Sequence, residues 1–149
     1  MLAEGNVGVG CRASDVVGLD LDRRGGESDG VAGFAALCDR HGVVWPDTFT
    51  VATPSGGRHL YFRVGDRRIL SASGDRCRLV AGLDVRGPGT RSGGYLVGPG
   101  STVAGRSYLV EHDLPIGDLP LWLAELLPQA SAAVVASRAI VQQSSRRAR

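Results

Sequence analysis

The stretch Asp15-Val16-Val17-Gly18-Leu19-Asp20-Leu21-Asp22 decides how the chain is read. β-Branched and leucine residues dominate it, and Arg23-Arg24-Gly25-Gly26 ends it, which predicts a strand running into a turn. Residues two apart in a strand share a face, with Cα atoms roughly 6.6 Å apart at about 3.3 Å per residue. Leu19 and Leu21 are therefore expected to face a core, and Asp20 and Asp22 the opposite side. Two acids on one face repel each other unless a cation lies between them. A hard cation such as Mg²⁺ takes carboxylate oxygens at roughly 2.0–2.1 Å and keeps several waters. The plainer account is a solvated strand end neutralised by Arg23 and Arg24; for an Asp-x-Asp alone, that account is the better one.

Outward from this strand the pattern alternates between short elements and turns. Upstream, residues 7–10 (VGVG) read as extended chain. Downstream, Ser28 or Asp29 caps a helix whose apolar face is Val31, Phe34, Leu37 and Cys38, and Gly42 suits the position just past its end. Residues 48–53 (TFTVAT) alternate as a strand, Pro54-Ser55-Gly56-Gly57 turns the chain, and residues 59–64 (HLYFRV) complete a hairpin. A polar loop over 65–75, a strand over 76–86 and a Gly-rich loop over 87–94 follow, with short strands at 95–97 and 108–110. Residues 118–127 predict a short amphipathic helix with Pro120 in its first turn. Residues 1–128 read as one domain and 129–149 as an Ala/Ser/Arg-rich tail or linker. Strand, helix, then mostly strands is the order of an α+β fold, with helices packed on a mixed sheet.

Composition narrows the classes. The 149 residues are 43% hydrophobic, which excludes a disordered chain, and 22 Gly with 7 Pro favour many turns over long helices. No apolar run reaches the roughly 18 residues of a membrane span, so no membrane partner is expected and the location reads as cytoplasmic. A net charge of +2 does not by itself mark a nucleic-acid binder. All 17 basic residues are Arg; a GC-biased genome explains this, and so do guanidinium forks suited to phosphate. Cys11, Cys38 and Cys77 lie too far apart to suggest a disulfide framework or a zinc site.

Asp84 changes the weight given to Asp20 and Asp22. Gly82-Leu83-Asp84-Val85-Arg86-Gly87 again sets an acid on an apolar strand, with Arg86 on the same face. Three acids on neighbouring strands can hold two metals roughly 3.5–4 Å apart, the arrangement that serves in-line nucleotidyl or phosphoryl displacement. The plainer account is an Asp84–Arg86 surface pair of little energetic consequence. His59 shares a face with Tyr61, and Ser55-Gly56-Gly57-Arg58 before it offers backbone N–H groups for an anion nest. His59 can then donate to a nucleotide phosphate; a lone strand-start histidine is more often satisfied by a carbonyl, and His41 and His112 have only that reading. Arg23-Arg24-Gly25-Gly26 leads into a helix N-terminus that favours anions, but no Gly-Lys-Ser/Thr follows it as in a P-loop. Residues 88–94 form a loop long enough to close over a ligand, or simply to turn.

In this order, VVGLDLD with RRGGES, TFTVATPSGGRHLYFRV, and AGLDVRGPGTRSGGYLVGPGS resemble the bifunctional DNA primase/polymerase (Prim-Pol) domain of the archaeo-eukaryotic primase superfamily. They cover the chain from about Asn6 to Tyr108. The resemblance implies an RRM-like mixed or antiparallel sheet with helices packed on it. It implies Asp20, Asp22 and Asp84 as ligands for Mg²⁺ or Mn²⁺, and His59 on the phosphates of an incoming nucleotide. Ser55, Gly56, Gly57, Arg58 and Arg86 join His59 as expected nucleotide contacts. Nucleoside triphosphates, a DNA template and primer, and a separately encoded replicative helicase are the implied partners, in plasmid, phage or mobile-element replication. Family members usually begin with a helix and a strand ahead of the segment matching NVGVG. The chain is therefore expected to be N-terminally short, with an open sheet edge and an uncovered apolar face. Three functions stay open: a nucleotidyltransferase, a catalytically inactive nucleotide- or DNA-binding remnant, and a metal-dependent phosphodiesterase.

Overall fold

In the computed structural model, which describes residues 5–24, 28–73 and 79–131, the chain passes through thirteen short elements. They are β1 (Gly8–Gly10), α1 (Cys11–Ser14), β2 (Val16–Leu21), α2 (Gly30–Arg40), β3 (Thr50–Ala52), β4 (Arg58–Arg63) and β5 (Leu83–Arg86). There follow β6 (Tyr95–Val97), β7 (Thr102–Val103), β8 (Arg106–Ser107), β9 (Leu109–His112), β10 (Gly117–Asp118) and α3 (Leu121–Leu126). The main sheet has the order β5-β2-β4-β3-β9, antiparallel throughout, with β10 adding a short parallel pairing to β4. The fold is α+β on a mixed sheet, as expected.

Strand alternation divides this sheet into two faces. On one, Val17, Leu19 and Leu21 of β2, Leu60 and Phe62 of β4, and Leu83 and Val85 of β5 are buried against Phe34, Leu37 and Cys38 of α2 and Leu123 of α3. The helix reading holds in detail: Asp29 is the N-cap, accepting from the Ala32 N–H at 3.0 Å, and Gly42 beyond the last turn takes φ +63°. Gly33 leaves room for Val80 to lie on α2, since a Cβ there would stand 2.1 Å from Val80 Cγ1.

The other face carries a smaller cluster of Cys11, Val16, Val51, Tyr61 and Leu96. Its cover is a two-stranded ribbon of β1 and β6, tied at its base by the Val7 N–H donating to Ser101 Oγ at 2.8 Å. Leu96 of β6 descends onto Gly18 of β2, where a Cβ would fall 2.0 Å from its Cδ1. Glycine in mid-strand usually weakens a sheet; here it admits the leucine that docks the ribbon.

Two expectations are corrected and one element is new. The strand expected over 76–86 pairs only from Leu83; 74–78 lie outside the described residues, and Gly82, at φ +79°, turns the chain just before β5. Pro120 precedes α3 as its N-cap instead of sitting in its first turn, and its carbonyl accepts from Leu123 and Ala124. β7 and β8 form an unforeseen two-residue hairpin, with Ala104 and Gly105 at φ 51° and 74°, the backbone such tight turns require. Past α3, Leu70 N–H donates to Pro128 O and Ala130 N–H to Arg68 O. The expected tail beyond 131 lies outside the described residues.

Candidate active site

The register of the three central strands assembles the site. Asp20 of β2 stands directly opposite His59 of β4 on one side and Asp84 of β5 on the other. Register partners point to the same face, so one carboxylate lies between an imidazole and a second carboxylate. His59 Nε2 is 3.3 Å from Asp20 Oδ1, and the histidine side chain is only 5% exposed. Its Nδ1 is buried and has no hydrogen-bond partner among the described residues. An unpaired buried polar atom costs about 1–3 kcal/mol, a cost that a bound ligand group can remove.

Two of the carboxylates hold guanidinium groups. Asp84 Oδ2 accepts from Arg86 Nη2 at 3.0 Å on the same strand, and Asp22, one residue past β2, accepts from Arg24 Nη2 at 2.8 Å. Arg23 turns to Asp29 at 3.5 Å. The Arg24 and Arg86 contacts are those of the plainer accounts, whereas Arg23, expected on the strand-end acids, pairs with Asp29 instead. Among the described residues, no three His, Cys, Asp or Glu side chains converge as a metal-ligand shell. Like charges side by side separate, and each takes its nearest guanidinium or imidazole. The donor set still has the chemistry a hard divalent cation prefers, carboxylate oxygens at one end of a sheet.

A cleft of about 480 Å³ opens over this face. Asp20, His59 and Arg86 line it from the sheet, and Gly94, Tyr95 and Leu96 from the ribbon and the loop leading into it. Tyr108 adds another wall, its ring tilted against the His59 imidazole at 5.6 Å between centroids. Burial raises the Tyr108 phenol above its ordinary pKa, and Asp20 and Asp22 raise it further, so it stays a neutral donor beside the acids. Tyr61, beneath, is pushed up more strongly by burial, then by Cys11 and Asp20; its hydroxyl is buried without a partner among the described residues. The Gly-rich loop is packed tightly, since a Cβ on Gly94 would lie 3.1 Å from Arg86 Cα.

Not every expected nucleotide contact shares this cleft. Alternation along β4 sends Arg58 to the face opposite His59, where it binds Glu111 through two hydrogen bonds of 2.6 and 3.0 Å and lies 5.9 Å from the Trp45 ring centroid. In the Ser55-Gly56-Gly57 turn, the Gly56 N–H donates to Thr53 O and Ser55 Oγ lies 3.2 Å from Thr53 Oγ1. Gly57 is packed against β2, where a Cβ would fall 2.3 Å from Leu21 O. The turn thus locks the start of β4 onto the end of β2. Gly25 and Gly26 of the arginine-glycine loop lie outside the described residues. Ser71, Tyr95, Leu96 and Tyr108 are cleft residues that sequence reasoning missed. For the tyrosines the available signal was an aromatic heading each short strand after the Gly-rich loop.

A sheet with helices on one face and Asp20, His59 and Arg86 lining a cleft on the other defines an α+β protein with a polar candidate site. A family model described as bifunctional DNA primase/polymerase, N-terminal (Prim-Pol), matches residues 2–122. The chain belongs to that family, which gives it a DNA primase/polymerase-type function in the broad sense. No curated protein matches it significantly. No helix among the described residues is long and apolar enough to cross a membrane.

Proposed function

We propose that the chain is a nucleotidyltransferase that adds nucleotides to a primer, or to an initiating nucleotide, under direction of a DNA template. The observation that carries this reading is the register of Asp20 between His59 and Asp84 at a cleft wide enough for a nucleotide. Asp20, Asp22 and Asp84 are the residues to hold Mg²⁺ or Mn²⁺, which when bound would activate the attacking hydroxyl and steady the leaving pyrophosphate. His59 has its Nε2 engaged by Asp20 and its Nδ1 without a partner, which suits a ring fixed in place and ready for one more hydrogen bond, here to a triphosphate oxygen. Arg86 supplies a fixed positive charge in the same cleft, and its salt bridge to Asp84 holds the guanidinium near the floor. The ribbon and Tyr108 restrict water over the site, which strengthens each of these contacts. Asp84→Asn is expected to abolish extension of a primed template while leaving the melting temperature within a few degrees. Equal extension by that variant overturns the carboxylate assignment.

A second reading rests on a specific observation: Asp22 and Asp84 already hold Arg24 and Arg86. A binding protein that recognises nucleotides without incorporating them needs no more. It predicts a metal-dependent thermal shift with nucleoside triphosphate and no primer extension under either metal.

A further inference from the structure

We infer that Tyr95 is the platform on which the base of a bound nucleotide stacks, which makes the mouth of the cleft a nucleobase subsite. The inference rests on the proposed nucleotide site. Tyr95 is 70% exposed, although it lines the cleft that holds Asp20, His59 and Arg86. The backbone beneath it is fixed. β6 pairs with β1 so that Tyr95 faces Gly10, and the next residue, Leu96, is 3% exposed and wedged onto Gly18. The preceding Gly94 has its N–H on Gly87 O at 2.8 Å and packs closely against the Arg86 backbone. An aromatic ring is thus carried on a rigid segment whose preceding glycine packs on Arg86, while the Tyr95 residue itself is left largely in water.

Among the described residues, no packing role accounts for that exposure. Across the ribbon, Gly8 presents no side chain to the ring, where a Cβ would stand 4.0 Å from Tyr95 Cδ2. The cleft floor is charged and suits phosphates, so the apolar part of a nucleotide needs a different surface. A tyrosine face offers stacking that tolerates any base, since every base presents a π-face. Arg86, which lines the same cleft, can hold the phosphate side of the same ligand.

The test compares a nucleotide with its inorganic counterpart. Isothermal titration with dATP and with inorganic tripolyphosphate, both with Mg²⁺, is made on the full chain and on Tyr95→Ala, Tyr95→Phe and Tyr95→Trp. Because Tyr95 is exposed, these variants should fold normally, which an unchanged melting temperature checks. Tyr95→Ala is expected to weaken dATP binding by about 5- to 100-fold and leave tripolyphosphate within about twofold. Phe and Trp should stay within about threefold for both. Equal dATP affinity in Tyr95→Ala overturns the stacking platform while the nucleotide site stands. So does an equal loss of tripolyphosphate, or a loss in Tyr95→Phe as large as in Tyr95→Ala. A full chain that binds neither ligand removes the nucleotide site, and the subsite with it.

Discussion

The two faces of the main sheet are made by the same three strands, yet they are built on different terms. The helix side takes every second residue, Leu19 and Leu21, Leu60 and Phe62, Leu83 and Val85, and closes them under α2 and α3 as a dry core. The cleft side takes the residues between, Asp20, His59, Asp84 and Arg86, and leaves them under a narrow ribbon docked chiefly through Leu96. One face supplies the rigidity and the other uses it, because a strand clamped by its apolar half cannot let its polar half drift. Side-chain identity on the cleft side should therefore govern activity with little effect on stability, and the reverse should hold on the helix side.

The largest effects test that division directly. Asp20→Asn is expected to lower nucleotide incorporation at least about a thousandfold, equivalent to roughly 4 kcal/mol of transition-state stabilisation, with the denaturation midpoint almost unchanged. Phe34→Ala is its mirror image. Phe34 is fully buried and meets Trp45 edge-on at 4.9 Å, so truncation should cost about 3–5 kcal/mol in urea unfolding while the folded fraction keeps its activity. A Phe34→Ala protein that is stable but inactive, or an Asp20→Asn protein that unfolds, breaks the comparison.

A smaller effect is expected where the faces communicate. Gly18→Ala puts a methyl into the space of Leu96, which must shift, and overpacking of this kind costs about 1–3 kcal/mol. Because Leu96 also lines the cleft, the variant should lose affinity for nucleotide as well as stability. Leu96→Ala in the same chain should relieve the clash, so the double variant is expected to be less destabilised than the two separate losses added together. Strict additivity would mean that the ribbon is not docked through this contact.

What could be read in advance follows the same line. The strand DVVGLDLD, the helix capped by Asp29 and the hairpin around Pro54 are set by local periodicity and turn chemistry, and each formed as expected. That Asp20, His59 and Asp84 belong together came from the resemblance of three segments; their alignment across β4-β2-β5 depends on long-range register, which no single segment contains. Alternation did contain the fate of Arg58, since it directly precedes His59 on the strand and so falls on the opposite face, but its neighbourhood with the glycine turn suggested otherwise. Tyr95 could not be placed, because the ribbon that brings it to the cleft forms between residues 8–10 and 95–97, far apart in the chain, and Tyr108 is held by backbone bonds to Gly100 and Ser101 that no periodicity announces. The strand start at Leu83 was hidden for a different reason: Leu79 and Val80 are apolar because they pack on the core, not because they pair.

The smallest expected effect lies at the rim of the helix side, and it has a pH signature. The hydrogen bonds from Arg58 hold the Glu111 carboxyl below its ordinary pKa; burial opposes them, and the Arg58 charge adds a smaller downward pull. A carboxyl whose folded pKa lies below its unfolded value of 4.5 contributes stability that is complete above that value. That contribution is lost as the pH falls through the folded pKa. With both side chains 29% exposed, the pair is expected to contribute only about 0.3–1 kcal/mol. Glu111→Gln should therefore be slightly less stable than the parent at pH 7, and the gap should close on acidification, because the other carboxyls titrate alike in both proteins. Asp118→Asn is the control: that residue's pair with Arg63 is 84% and 57% exposed, and its removal should shift stability by less at every pH. If the two variants behave identically, the less exposed rim of the helix side adds nothing to a salt bridge, and the contrast between the faces ends at the core.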